Sequence, residues 1–229
     1  MYKYIKRFFD ILFSILILII FGIPMLIIAI IIKIEDGGPV IFKQLRMGKN
    51  EKTFYMYKFR SMILERKELD GKLSHEEMTT KIGKFIRKTS FDELPQIFNI
   101  LKGEMSFIGP RPWIIEYYNW MNPIQKRRVS VLPGITGLAQ VRGRNGISVD
   151  KKIEYDLEYV NHFGLKYDLK ILKESFFAVF SQINAEITEN GINKEINHLK
   201  ETNTKKKRIK ISKWGFLFYE KRYNCRQSF

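Results

Sequence analysis

The chain has 229 residues and carries 40 Lys+Arg against 24 Asp+Glu, a net charge of +16 that favours acidic partners such as phospholipid headgroups, nucleotides or nucleic acid. A hydrophobic fraction of 45% with 14% aromatics supports a packed core and excludes wholesale disorder. The single cysteine, Cys225, excludes an intrachain disulfide framework, and His75, His162 and His198 lie far apart and form no HExxH zinc motif.

The first element is a run of 22 uncharged residues, Ile11 to Ile32, broken only by Ser14, Gly22 and Pro24. As a straight helix it reaches ~33 Å, about the thickness of a bilayer core. A cleavable signal peptide fits poorly, because the run is too long and no small-residue cleavage site follows it. Pro24 removes a backbone donor and predicts a kink or break. Lys3, Lys6 and Arg7 precede the run, and Lys33, Lys43, Arg46, Lys49 and Lys52 follow it. The positive-inside rule then places both flanks on the cytoplasmic side, which suits a helix–break–helix hairpin in one leaflet. A kinked single-pass anchor is the plainer alternative.

Glu35-Asp36-Gly37-Gly38-Pro39 ends this segment. Val40 to Phe42 and Thr53 to Phe59 read as a hairpin around the basic turn Arg46 to Asn50. Helices are predicted over Met62–Leu73, around Ile82, Phe85 and Ile86, and through Leu94, Ile97, Phe98 and Leu101 at i, i+3, i+4, i+7. Trp113–Met121, Ile153–Val160 and Leu169–Ile183 supply three more. The aromatics of the last, Phe176, Phe177 and Phe180, could line the core or lie against the bilayer, and core burial is the expectation. Seven Lys/Arg between Lys200 and Lys213 face one Glu, so this stretch reads as an exposed tail suited to anionic membrane lipid. The fold class is therefore α+β, mainly helical with a short β-hairpin. Its parts are a membrane segment over 1–36, a soluble domain over 37–190 and a basic tail over 191–229.

The densest chemistry lies in Arg87-Lys88-Thr89-Ser90-Phe91-Asp92-Glu93-Leu94-Pro95-Gln96. Ser90 and Glu93 fit an S-x-x-E capping box with Pro95 in the first turn, and Asp92 would favour the positive end of that helix. The plain reading is a helix start. Lys58, Arg60, Arg87 and Arg111 compete with it, being basic residues near turns or element ends. Arg111 sits between Pro110 and Pro112, and a guanidinium on a stiff backbone suits bidentate phosphate recognition, or simply an acid in the same loop.

Four blocks in order resemble the bacterial sugar transferases, the small monotopic polyprenyl-phosphate phosphoglycosyl transferases. They are Lys6-Arg7 with Phe9-Asp10; Tyr57-Lys58-Phe59-Arg60-Ser61-Met62; Asp92-Glu93-Leu94-Pro95-Gln96 through Asn99 and Ser106 to Gly109-Pro110-Arg111-Pro112; and Pro133-Gly134-Ile135-Thr136-Gly137 with Gln140-Val141 and Gly143-Arg144. The resemblance covers residues 1 to about 185. It implies transfer of a sugar-1-phosphate from a nucleoside diphosphate sugar, by family habit a UDP-sugar, to polyprenyl (undecaprenyl) phosphate, starting glycoconjugate or polysaccharide assembly. By the same resemblance Asp92 is the nucleophile that takes the phosphosugar. Glu93 with Asp92 holds Mg²⁺, Lys58, Arg60, Arg87 and Arg111 hold phosphates, and the hydrophobic segment re-enters at Pro24. The catalytic domain would sit on the cytoplasmic face of the bacterial inner membrane. The chain departs from the family at Ile23, where serine commonly precedes the proline, and at Glu51, where glycine is frequent. Two other classes compete. A non-catalytic membrane adaptor is disfavoured by the intact Asp92-Glu93 pair, and a nucleic-acid binder by the lack of any helix-turn-helix, zinc or RNP pattern. Asp156, Asp168, Gln140 and Arg144 stand in family-like positions without assigned roles, and structural pairing is the expectation for both aspartates.

Overall fold

The computed structural model describes residues 1–63, 75–143, 146–180 and 194–204. Helix α1 (Tyr2–Asp36) closes on Gly37, whose left-handed φ of 73° lets its N–H reach the Lys33 carbonyl at 3.0 Å. Residues on both sides of Pro24 stay helical, so the proline lies inside one helix and not in a non-helical gap. Proline deletes a single rung of the ladder, and the turns on either side keep theirs. Its only buried side chains are Asp10, Ser14, Met25, Ile28 and Ile32. The last three, one helical face, pack against Phe59 and Ile86.

Both ends of α1 are tied to the rest of the protein. At the start, Tyr2 and Lys6 bond Asp168, and Arg7 donates to the carbonyls of Ile100 and Leu101. Asp10 Oδ1 accepts from the Ser106 hydroxyl at 3.0 Å and the Phe107 N–H at 3.2 Å. At the other end Asp36 takes the guanidinium of Arg60.

Strands β1 (Ile41–Met47) and β2 (Thr53–Phe59) form the antiparallel hairpin, in register from Ile41↔Phe59 to Met47↔Thr53. The second strand falls where the sequence places it. The first runs on through Arg46 and Met47, which were read as turn. Asn50 (φ 52°) and Glu51 (φ 66°) make the turn in the left-handed region. That conformation costs a side-chain-bearing residue ~1–2 kcal/mol, which accounts for glycine being frequent at the position of Glu51.

Met62 and Ile63 are not helical, and the rest of the helix expected there, 64–73, lies outside the described residues. After the single turn α2 (His75–Met78), helix α3 (Lys81–Lys88) starts on Thr80, whose hydroxyl accepts from Gly83 N–H at 2.9 Å. A 3₁₀ turn, Phe91–Glu93, precedes α4 (Gln96–Lys102). The capping box does not form. Ser90 is left-handed at φ 59°, whereas a capping serine needs extended backbone, and its side chain makes no cap bond. Asn99, fully buried on α4, instead joins the helix to the hairpin. Its Oδ1 accepts from Tyr57 N–H at 3.0 Å, and its Nδ2 donates to Tyr55 O and Glu104 Oε2, both at 2.7 Å.

The remaining scaffold is a two-residue parallel pairing of β3 (Ser106–Ile108) with β4 (Gly134–Thr136), followed and interleaved by helices. These are α5 (Ile115–Asn119), α6 (Pro123–Lys126), α7 (Leu138–Gly143), α8 (Val149–Asn161), α9 (Leu165–Phe180) and α10 (194–204). Tyr159 and Ile171 close one core over Ile108 and Leu138. Phe176 corrects the expectation of a buried aromatic row, being 63% exposed; the side chains of Phe177 and Phe180 lie outside the described residues. The stretch read as the start of a basic tail also differs. Ile196 and Leu199 of α10 are buried among Tyr117, Met121, Val149 and Ile153. Residues 205–229, with most of the basic run, lie outside the described residues.

Candidate active site

Asp92 and Glu93 occupy the 3₁₀ turn between α3 and α4, opposite the end of β2. The Asn99 bonds fix α4 to β2 and so bring Lys58 to this turn. Lys58 Nζ donates to Glu93 Oε1 at 2.7 Å and stands 3.6 Å from Asp92 Oδ2. Arg111 Nη2 donates to the same Glu93 oxygen at 2.7 Å. Arg87 acts on Asp92 through its charge, and its Nη1 donates to Thr79 Oγ1 at 3.3 Å. Five of the six residues named from the sequence as catalytic or phosphate-binding thus come together: Lys58 and Arg111 contact Glu93, and Lys58, Arg87 and Arg111 all act on Asp92 through their charge.

Arg60 is not brought here. It is 5% exposed and engaged with Asp36, so it secures the end of α1 to the domain instead of facing a phosphate. It stands two positions after Lys58, which on an alternating strand would share its face, yet Arg60 lies just past β2, where the alternation ends.

The neighbouring carboxyls are tuned in opposite directions. Burial raises the Asp92 carboxyl above its ordinary value; Lys58 opposes this and the Glu93 charge reinforces it. Burial also works against Glu93 ionisation, but Arg111 and then Lys58, by charge and hydrogen bond, outweigh it and hold Glu93 well below the usual range. The turn therefore presents one permanently charged carboxylate that organises cations and one, less stabilised as an anion, that is free to react.

Arg111 is positioned by a packed backbone. Gly109, Gly134 and Gly137 leave no room for a Cβ, since it would strike the backbone of Leu132, Gly109 or Thr136. The Gly-Pro-Arg-Pro loop is thereby pressed against β4. Arg128 holds it from the other side, its Nη2 donating to Arg111 O at 2.7 Å and to Asp156 Oδ2 at 2.6 Å. The Arg128 guanidinium lies 4.2 Å from the centre of the Trp113 ring. Both aspartates left without roles are thus structural. Asp156 fixes Arg128, and Asp168 gathers Tyr2, Lys6 and, at 2.8 Å, Tyr159. Gln140 donates to Ile135 O at 2.6 Å; Arg144 lies outside the described residues.

Arg46 belongs to this neighbourhood and was read only as a turn residue. Its Nη1 donates to Pro112 O at 3.3 Å, and burial followed by the Arg111 charge pushes its guanidinium down to about 10. The half-buried alternation of Gln44 and Arg46 along β1 is the signal that marks it as inward-facing.

Among the described residues no three His, Cys, Asp or Glu cluster as a metal site. Mg²⁺ needs only one or two carboxylates beside substrate phosphates and water. Asp92 and the Glu93 oxygen not engaged by Lys58 and Arg111 match that donor set.

The model for the bacterial sugar transferases matches residues 1–182, which takes in α1, the hairpin and the whole carboxylate–cation cluster. The chain belongs to this family. Among its relatives, the galactosyl transferase CpsE of Streptococcus agalactiae is 45% identical over 189 residues, 75% of this chain and 42% of the relative. The sugar transferase EpsL of Bacillus subtilis is 45% identical over 168 residues, 73% of this chain and 83% of the relative. A UDP-glucose:undecaprenyl-phosphate glucose-1-phosphate transferase of Klebsiella pneumoniae is 43% identical over 187 residues, 76% of this chain and 39% of the relative. The chain thus spans most of EpsL but only about two-fifths of the other two.

Proposed function

We propose that this protein transfers a sugar-1-phosphate from a nucleoside diphosphate sugar to polyprenyl phosphate. The observation that carries the reading is the Asp92–Glu93 turn inside a ring of Lys58, Arg87 and Arg111, in a chain similar to a glucose-1-phosphate transferase. An Asp92 carboxylate oxygen attacks the phosphorus bearing the sugar. The bridging P–O bond breaks, the nucleoside monophosphate leaves with the electron pair, and the phosphosugar stays on Asp92 as an acyl phosphate. A lipid phosphate oxygen then attacks that phosphorus, and the bond to Asp92 breaks to regenerate the carboxylate.

Attack by an anion on a polyanion needs local positive charge. Lys58, bridging both carboxylates, lowers the repulsion as Asp92 approaches the diphosphate, while Arg111 and Arg87 take phosphate oxygens. Glu93 keeps Lys58 and Arg111 in place. Mg²⁺ held by Asp92 and Glu93 would supply further neutralisation of the diphosphate. The high effective basicity of Asp92 favours its role as nucleophile over Glu93, whose charge is fully spent on two cations.

We further infer that α1 enters and leaves one leaflet on the cytoplasmic side. Its apolar face is open, with Ile19, Ile20, Ile23, Leu26 and Ile30 all exposed, and such a surface on a helix of this length suits lipid. Its two ends are bound to one domain, which supports a segment that returns to the side it left. The exposed Phe8, Phe9 and Leu12 near Lys3 suit an anionic headgroup layer.

The deciding experiment is release of nucleoside monophosphate by the protein in detergent with Mg²⁺, undecaprenyl phosphate and a panel of UDP-sugars. Lipid-dependent UMP release is expected with one donor, lost in Asp92→Asn by at least a hundredfold and lost in chelator until Mg²⁺ is restored. Activity of Asp92→Asn above a few per cent would remove the nucleophile assignment.

A further inference from the structure

Between the C-terminal end of α1 and helix α3 lies a groove of about 460 Å³, lined by Ile31, Ile34, Glu35, Lys81, Ile82 and Phe85. This is the size of a small-molecule cleft, which runs to ~300–1,000 Å³. Its one acid is committed to the fold. Glu35 caps α3, its Oε1 accepting from Lys81 N–H at 2.8 Å and its Oε2 from Ile82 N–H at 3.4 Å. Lys81 adds one cation at the rim; the other walls are aliphatic and aromatic, and two of them stand open, Ile34 at 79% and Phe85 at 53% exposure.

Resting on the reading above, we propose that this groove seats the isoprene units of the lipid acceptor nearest its phosphate. Three features point to that occupant. One wall is α1 itself, so the groove opens onto the same exposed apolar surface as Ile27 and Ile30, and a prenyl chain enters it from the bilayer without crossing water. The other wall, α3, leads to the site. Phe85 meets Phe91 edge-on at 6.4 Å, Phe91 meets Phe21 at 5.9 Å, and Asp92 is the next residue. Helix α3 is only ~12 Å long, so a chain lying along it places its phosphate at the turn where Arg87 and Lys58 stand. Finally, the second step requires that phosphate, and no other lipid headgroup, beside Asp92. The groove is built from α1 and α3, whereas Arg111 reaches the turn from the loop after β3, so acceptor and donor would be held by different elements.

The test uses the full chain in nanodiscs. Phe85→Ser is expected to raise KM for undecaprenyl phosphate about tenfold and Phe85→Ser with Ile34→Asn further, while KM for the nucleotide sugar moves less than twofold. Unchanged lipid KM in the double variant, or an equal rise for both substrates, would overturn the assignment. A benzophenone amino acid at position 85 gives a readout independent of turnover. Radiolabelled undecaprenyl phosphate should label it well above a control at exposed Ile124, and excess unlabelled lipid phosphate should compete. Labelling by bilayer phospholipid that undecaprenyl phosphate does not displace would instead assign the groove to an acyl chain and refute the proposal. Specific labelling of the benzophenone variant, with no nucleoside monophosphate released by the wild type, would count against the transfer reaction and leave the groove assignment standing.

Discussion

Glu93 is the most constrained side chain of the site, and its constraint sets how the protein answers to pH. Its folded-state carboxyl lies below the ordinary 4.5, so its ion pairs contribute stability that is fully present above pH 4.5 and lost as pH falls below it. Asp92 moves the other way, above its ordinary 3.8. The acid limb of kcat/KM should therefore report Asp92 and lie above the usual aspartate range. In Lys58→Met, which removes the nearest cation favouring the anion, that limb should move to higher pH; a limb that stays or falls would detach the profile from Asp92. The pair was legible in the sequence because adjacent carboxylates stood among family-like basic blocks. Arg46 was not, because the first strand, expected to end at Phe42, runs on to Met47 and turns a presumed loop residue inward. Arg60 was misplaced for the complementary reason: a basic residue after a strand says nothing of whether it meets a ligand or, as here, the acid ending another helix.

At the level of elements, the join between α4 and β2 depends on one residue. Asn99 supplies the strand edge with the donor and acceptor that a third strand would have given, and it is fully buried in doing so. Asn99→Ala would leave Tyr57 N–H and Tyr55 O without partners, at ~2–4 kcal/mol. Because the same join carries Lys58 to Asp92, the variant should lose turnover and melting temperature together, whereas Lys58→Met should lose turnover with little change in melting. Equal melting of Asn99→Ala and wild type would disprove the tie. Periodicity located α3, α4, α8 and α9 well enough, since each buries one stripe. It failed at Ser90, where S-x-x-E predicted a cap that the left-handed backbone forbids. It also missed α10, because the stretch was grouped with the basic run that follows it, hiding Ile196 and Leu199, spaced three apart on one buried face.

For the whole molecule, the disposition of α1 is the question with the widest reach. Length and composition fit a bilayer-crossing helix, but its two ends are bonded to one domain, through Asp168 and the α4 carbonyls at the start and Arg60 at the end. In a Cys225→Ser background, Lys3→Cys and Lys43→Cys should both react with an impermeant maleimide from the same face of sealed vesicles. Reaction from opposite faces would make α1 a simple span. Sequence charge symmetry leads to the same expectation of a common side, which the labelling decides; the residues around Pro24 stay helical.

The bonds from Tyr2 and Lys6 to Asp168 also bear on the order of assembly. A ribosome makes α1 first and Asp168 more than 160 residues later. With α1 in lipid as proposed above, the apolar helix meets the bilayer before its clamp exists, and the clamp closes afterwards. A tag fused ahead of Met1 or a stalled nascent chain would then yield protein that is in the membrane but not yet closed upon itself, and protection of residues 2–7 from protease would measure completion of the fold.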